Sequence, residues 1–363
     1  MTTTPMRIGV IGVGFGTVVQ IPGFQSEGVD VAAVCARRQE RVDKAAADFN
    51  IPMAYTDYRK MLQEADIDAV SIVTPPGLHH EMAIAALDAG KHVICEKPFA
   101  MDQGQAREMW QKAEATGLTA MVSHEFRFAP ARAYVKELLE QGYVGDLRFV
   151  HTTLFAGPTQ ARGPRPMAWG SRTSEGGGFL GALGSHYIDG LRYWCGEVTA
   201  VKGGVFTHDT DRLDPESGQA VSSDTDDAFG FMLRFESGAW ASMSGSTAAP
   251  FGPGARIEVY GSSGTLITPQ PGMNPPPDGT VLGANFDSGP EVRELPMPER
   301  FRPFDDDRDG RLMAFRLLLQ RFIQGVESET SPGPNFYDGF RCQQVLDAVR
   351  DSSGSDGWVQ LER

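Results

Sequence analysis

Cysteine is scarce: Cys35, Cys95, Cys195 and Cys342 are the 4 in a chain of 363 residues, and no two form a C-x-x-C. Thiols so widely spaced argue against a disulfide frame or a zinc site, and fit buried, reduced cysteines in a cytoplasmic protein. Positive charge is short as well. Lys plus Arg is 33 against 47 for Asp plus Glu, a formal charge of −14. No Lys/Arg-rich run offsets that balance, so the electrostatic footprint of a nucleic-acid binder is missing. No stretch is long and apolar enough to span a bilayer. The opening MTTTPMRIGV leads into a strand without the h-region of a signal peptide. Internal repeats and low-complexity tails are missing too.

What is present is an ordinary globular composition, 41% hydrophobic and 22% charged, at a length that suggests two domains. Over the first ~125 residues short apolar runs alternate with helical patterns. Strands are expected from Arg7 to Ile11, Val29 to Ala36, Asp68 to Val73, Lys91 to Cys95 and Thr119 to Val122. Between them Gln39 to Phe49 has helical spacing, Asp57 caps a short helix, His80 to Ala89 is a helix closed by Gly90, and Asp102 with Gln105 opens another. The alternation predicts an α/β fold with a doubly wound parallel sheet.

Such sheets bind ligands beyond the carboxyl ends of their strands. The first strand ends in Gly12-Val13-Gly14-Phe15-Gly16-Thr17. Glycines between a strand and a helix let the backbone approach a pyrophosphate at the positive helix end. Gly12 fits the tight turn and Gly14 the close approach, while the third position of G-x-G-x-x-G is Thr17, with Gly16 one place early. About 20 residues on, an NAD site carries an acid for the ribose 2′-OH. Here Cys35-Ala36-Arg37-Arg38 offers two arginines instead, which suits a 2′-phosphate and favours NADP, with NAD possible. Thr74-Pro75-Pro76-Gly77-Leu78-His79 forms the loop where a nicotinamide half would lie. The fifth strand ends in Glu96-Lys97-Pro98, a lysine placed for chemistry.

The pattern changes after His124-Glu125-Phe126-Arg127-Phe128. Pro130 to Gln141 is a helix, His186, Tyr187 and Asp189 share another, and strands succeed one another from Ala200 to Ile267. That succession predicts a largely antiparallel sheet in an α+β domain. Thr268 to Pro303 reads as irregular. Asp305-Asp306-Asp307-Arg308-Asp309 has no calcium-loop spacing and precedes a helix whose dipole the acids offset, so no metal is expected. Leu312, Phe315, Leu319, Phe322 and Ile323 form an apolar helical stripe for core or dimer contact.

Taken together, RIGVIGVGFGT, VTPPGLHHEMAIAALDAGKHVICEKPFA, HEFRF, EGGGFLGALGSHYIDGLRYWCGE, YGSSGTL and FYDGFR resemble the Gfo/Idh/MocA oxidoreductases over nearly the whole chain. The resemblance implies a Rossmann domain, set at residues 1–126, and a substrate-binding and oligomerisation domain at 127–363 with a large open sheet. It implies hydride transfer between NAD(P)(H) and a sugar, polyol or derivative, in a homodimer or homotetramer. By position, Lys97 matches the catalytic lysine, Glu96 the acid beside the nicotinamide ribose, and Thr74, Pro75 and His79 the cofactor loop. His186 matches a histidine that exchanges a proton with the substrate hydroxyl. Arg127 matches an N-x-R-F-like arginine, a substrate contact together with Glu125, which stands where Asn is usual. Trp169 and Arg172 are candidates for the substrate pocket, with plain packing roles equally open.

Two departures bear on mechanism. The aspartate expected four residues before His186 is Ala182, and the histidine of an H-x-P after the glycines is Gln20. A carboxylate near His186 would raise its basicity and hold its tautomer. Without one, more of the proton work falls on Lys97, unless Asp189 substitutes. Two other readings use the same residues: a glycosidase-like enzyme using bound NAD transiently, and a non-catalytic sugar or nucleotide sensor.

Overall fold

A computed structural model describes residues 5–157, 163–355 and 357–362. Residues 1–4, which open the segment read above for a signal peptide, lie outside them. The chain divides into two compact units, Met1–Glu125 with Asp306–Gln343, and Phe126–Asp305 with Gln344–Arg363.

In the first unit six parallel strands, β1 (Arg7–Ile11), β2 (Asp30–Cys35), β3 (Met53–Tyr55), β4 (Ala69–Ile72), β5 (His92–Cys95) and β6 (Ala120–Val122), lie in the order β3-β2-β1-β4-β5-β6. Every residue of β4 and β6 is buried, as expected for strands covered on both faces. Between the strands run α1 (Ile21–Ser26), α2 (Gln39–Phe49), α3 (Tyr58–Glu64), α4 (His79–Asp88) and α5 (Gln103–Thr116). Local chemistry sets their ends. Asp57 accepts the Arg59 amide at 2.8 Å and Asp102 the Gln105 amide at 2.9 Å, while Gly117 closes α5 with a left-handed φ of 67°. The order reverses between β1 and β4, and that switch point is where such sheets open a crevice for ligands.

The second unit holds α6 (Pro130–Glu140), α7 (Ser185–Cys195) and a nine-stranded mixed sheet. From one edge to the other its strands are Gly289–Glu294, Leu282–Asn285, Gly264–Gln270, Gly254–Gly261, Leu147–Phe155, Trp240–Ser246, Ala228–Phe235, Val198–Phe206 and Val359–Gln360. All pairs are antiparallel except Leu147–Phe155 with Trp240–Ser246, which run parallel. A three-stranded sheet of Arg165–Pro166, Asp211–Leu213 and Ala220–Ser222 stands apart.

The segment from Thr268 to Pro303, expected to be irregular, carries the two strands Leu282–Asn285 and Gly289–Glu294. They are short, and Gly289–Glu294 is mostly exposed, so no alternation marks them. The apolar stripe is core: α8 (Leu312–Glu327) buries Leu312, Phe315, Leu319 and Phe322 in the first unit. There Phe315 meets Phe24 edge-on at 5.6 Å, over Gly23, where an added Cβ would lie 2.6 Å from the Phe315 ring. That packing carries Asp306–Gln343 back to the parallel sheet, whereas sequence order assigns it to residues 127–363. Two of its acids are engaged by arginines. Asp306 takes Arg308 and Arg316, Asp309 takes Arg311, and among the described residues no His/Cys/Asp/Glu cluster could hold a metal.

No helix among the described residues is long and apolar enough to cross a membrane. The four cysteines are buried free thiols, with Cys35 and Cys195 pushed up to about 12 by burial, which keeps them protonated and unreactive.

Phe315→Ala empties a site that the Phe24 ring and Gly23 hold in shape. A loss of about 3 kcal/mol is expected on the usual scale for buried aromatics. Urea unfolding followed by circular dichroism measures it, and a loss below about 1 kcal/mol would show the stripe to be peripheral.

Candidate active site

Four strands of the parallel sheet stop level with one another: Ile11 pairs with Ile72, Ile72 with Cys95 and Cys95 with Val122. The residues just past these ends are therefore set side by side.

After β1 the Gly12 amide donates to Cys35 O at 2.8 Å, and Gly12 has a φ of +112°. A Cβ there would lie 2.3 Å from Val73 O, so only glycine fits where the loops after β1 and β4 cross. Gly14 has the opposite surroundings, with nothing within 4 Å of an added Cβ. That open face leaves room for a phosphate to reach the backbone. Gly16 begins a π-helical turn, Gly16–Gln20, that runs into α1, and the Thr17 hydroxyl donates back to Gly14 O at 3.0 Å. The Arg311 guanidinium lies over the Phe15 ring at 4.8 Å, held by Asp309 through Nε at 2.8 Å. Arg37 and Arg38 are exposed just beyond β2. These features fit a dinucleotide: a glycine cradle for the pyrophosphate and cationic side chains at the adenosine end.

The loop after β4 is pinned by His79, which is fully buried. Its Nδ1 lies 2.9 Å from Pro98 O and its Nε2 2.8 Å from Thr74 O, so the ring ties the Thr74-Pro75 loop to the Lys97-Pro98 segment. Burial, opposed by these two carbonyls, pulls its pKa down to about 4, so the neutral ring donates its one N–H to one of them and packs against the other. The Thr74 hydroxyl faces Met82 Sδ at 3.7 Å, and Thr74 and Pro75 are half-buried.

After β5 come buried Glu96 and half-buried Lys97. Gln20 Nε2 donates to Glu96 Oε1 at 2.6 Å, and the Lys97 amide donates to Glu96 Oε2 at 3.2 Å. The Ser71 hydroxyl donates to Gln20 Oε1, which fixes the amide's orientation. After β6 the Ser123 amide bonds Cys95 O at 2.8 Å, and two residues on Glu125 is buried. Burial first, then the Glu96 charge, pushes Glu125 up to about 8, against the pull of Lys97 and Arg311. Burial also raises Glu96, opposed by Lys97 and its hydrogen bonds.

In the second unit a π-helical turn, Leu180–Gly184, leads into α7. His186 is buried on its first turn, its ring stacked on Phe126 at 3.8 Å between centroids. Asp189 does not serve His186. Both its oxygens are taken by Arg127, from Nε at 2.6 Å and Nη2 at 2.5 Å, and Arg127 lies over Tyr193. Arg132, also buried, lies over the rings of Tyr187 and Phe126, so cations and aromatic faces grip both ends of the turn that holds His186. Trp169 opens a short 3-10 turn, and Arg172 pairs with Glu175 at 3.1 Å.

The structure thus brings Gly12, Thr74, Glu96, Lys97 and Glu125 to one edge of the parallel sheet, and His186 and Arg127 to one buried cluster of the other unit. Sequence reading missed Ser71 and Arg311. A lone serine inside a strand carries no signal, and Arg311 is some 300 positions from Phe15.

A doubly wound sheet with a glycine turn at its switch point and a lysine one strand further on defines a dinucleotide-dependent oxidoreductase. Comparison with known proteins gives the particular family. Residues 6–124 match the model of an oxidoreductase family with an NAD-binding Rossmann fold, and residues 133–267 match the GFO/IDH/MocA C-terminal domain. Myo-inositol 2-dehydrogenase of Thermotoga maritima is 30% identical over 263 residues, 72% of this chain and 75% of that one. Levoglucosan dehydrogenase of Pseudarthrobacter phenanthrenivorans is 27% identical over 98% of both chains. A solved levoglucosan dehydrogenase in complex with NADH and L-sorbose superposes with a TM-score of 0.90 at 25% identity, covering 99% of this chain and 100% of that one. The chain belongs to the Gfo/Idh/MocA family of oxidoreductases.

The Arg127–Asp189 pair can be tested directly. Arg127→Met leaves a buried carboxylate without its partner and should cost about 3 kcal/mol or more. Adding Asp189→Leu should recover most of it, and urea unfolding of the four proteins in a double-mutant cycle reads the coupling. Additive losses would mean that the two side chains do not depend on each other.

Proposed function

We propose that the protein is an NADP(H)-preferring dehydrogenase or reductase acting on a hydroxyl or carbonyl carbon of a sugar or polyol. The observation that carries this reading is Lys97, half-buried at a strand end between the pinned Thr74-Pro75 loop and two buried carboxylates. When bound, the nicotinamide supplies a carbon that accepts or donates hydride. Gly12 and Gly14 admit the pyrophosphate to the backbone, and Phe15, Gly16 and Thr17 frame it. Arg37 and Arg38 stand where an adenosine 2′-phosphate would be met, with no acid to repel it. Thr74, Pro75 and His79 shape the nicotinamide side, and Glu96 is held ready for the adjoining ribose by Gln20.

Hydride transfer from an alcohol requires a group that takes the hydroxyl proton. Lys97 is assigned that role; His186, the candidate by resemblance, is the second group proposed for it, its ring stacked on Phe126. Arg127 acts as a brace for the His186 helix through Asp189. Trp169 and Arg172 remain candidates for sugar contacts. Substrates of relatives, levoglucosan, myo-inositol and D-xylose, indicate the chemical class. The setting we propose for the chain is the cytoplasm, as a homodimer or homotetramer.

Two measurements test this. Fluorescence titration should show NADPH binding tighter than NADH. Arg37→Glu with Arg38→Glu should weaken NADPH about tenfold, or about 1.4 kcal/mol, and leave NADH little changed. With levoglucosan, myo-inositol, D-xylose and L-sorbose offered with both cofactors, Lys97→Ala should lower turnover by about 100-fold or more. Turnover of none of the four, or an unchanged Lys97→Ala rate, would overturn the reading.

A further inference from the structure

The two buried carboxylates beside Lys97 are not equivalent. Strands β5 and β6 end level, so Glu96-Lys97 and Ser123-His124-Glu125 leave the sheet together, and both carboxyls are buried at its edge. Glu96 has an N–H donor on each oxygen, Gln20 on Oε1 and the Lys97 amide on Oε2, and the Ser71 hydroxyl keeps the Gln20 amide turned that way. Donors on both oxygens favour the anion. A second buried carboxyl near that anion cannot readily ionise too, so it keeps its proton, as in carboxylate pairs that share one. Charged groups that act on Glu125 include Glu96 and Lys97 after β5 and Arg311 before α8.

We propose that Glu125 is the proton store for Lys97, passing a proton to it during reduction and receiving one from it during oxidation. This rests on the reading of Lys97 given above. In reduction, an ammonium N–H of Lys97 breaks as its proton goes to the carbonyl oxygen, and the carboxyl O–H of Glu125 then breaks to restore that N–H. In oxidation, the hydroxyl proton goes to the Lys97 amine and on to the Glu125 carboxylate. No electrons move in either proton step. Glu125 acts through Lys97 as a positioning residue and is not itself a catalytic residue.

Infrared difference spectra across a pH titration from 6 to 10 test where the proton sits, with no substrate present. The wild type should lose one protonated-carboxyl band as pH rises through about 8. Glu125→Gln should lack it. Glu96→Gln should move its loss to lower pH by removing the repelling charge, and Lys97→Ala should move it to higher pH by removing the attracting one. A band that survives Glu125→Gln, or that ignores Lys97→Ala, would overturn the proposal whatever the enzyme's substrate.

The role in turnover is read with whichever of the four named sugars is oxidised. Wild-type kcat should climb as Glu125 ionises, and Glu125→Gln should flatten that limb and fall about tenfold at pH 9. An unchanged limb would overturn the relay. Failure of the whole sugar panel would count against the proposed function alone, because the infrared result stands by itself.

Discussion

The constraint on which the first unit's chemistry depends is that β1, β4, β5 and β6 stop at one level. Parallel pairing of Ile11, Ile72, Cys95 and Val122 puts the next residue of each strand on one line. Because β1 and β4 are neighbours that lead to opposite flanks, a crevice opens there, and Gly12 lies so close to the next loop that an added Cβ would stand 2.3 Å from Val73 O. The rest of the site is a row of short excursions from that line. A one-residue slip in any strand would turn its whole buried set to the other face, so the core and the site are specified by the same register.

Much of that row was legible because its signals are local. A strand that ends in glycines, an apolar run that stops at Glu96-Lys97-Pro98, and an Asp57 or Asp102 cap each announce themselves within a few residues. What was not legible depends on distant partners. Gln20 looked like a lost histidine, but its amide is held at both ends, by the Ser71 hydroxyl on its oxygen and by Glu96 on its nitrogen. The helical spacing of Leu312 to Phe322 was clear, whereas its destination against Phe24 was not, because an apolar stripe does not name the surface it covers. The same holds for Leu282–Asn285, a strand held by pairing with Gly264–Gln270 more than by its own pattern.

In the second unit the missing aspartate at Ala182 looked like a gap that Asp189 could fill by helical spacing. Charge arithmetic explains why it does not. Arg127 is buried, and a buried guanidinium left without an anion is costly. Asp189 is therefore committed to Arg127, in a bidentate geometry that satisfies both its oxygens. The His186 ring, for its part, stacks on the Phe126 face.

That difference shifts the electrostatic weight of the protein to the parallel sheet's edge. There Glu125 adds a second carboxyl to a buried place that already holds one, a costly arrangement if both ionise. The cost is avoided only by keeping one of them neutral, and the hydrogen bonds from Gln20 and the Lys97 amide select Glu96 as the anion. Retention of a proton by Glu125 is thus a consequence of how Glu96 is held. A side chain that merely filled space there would not require it, since an amide of the same shape carries no charge to neutralise. Lys97 thus stands beside one carboxyl held as an anion and one that keeps its proton, a donor and acceptor set suited to a residue that must both give and take a proton.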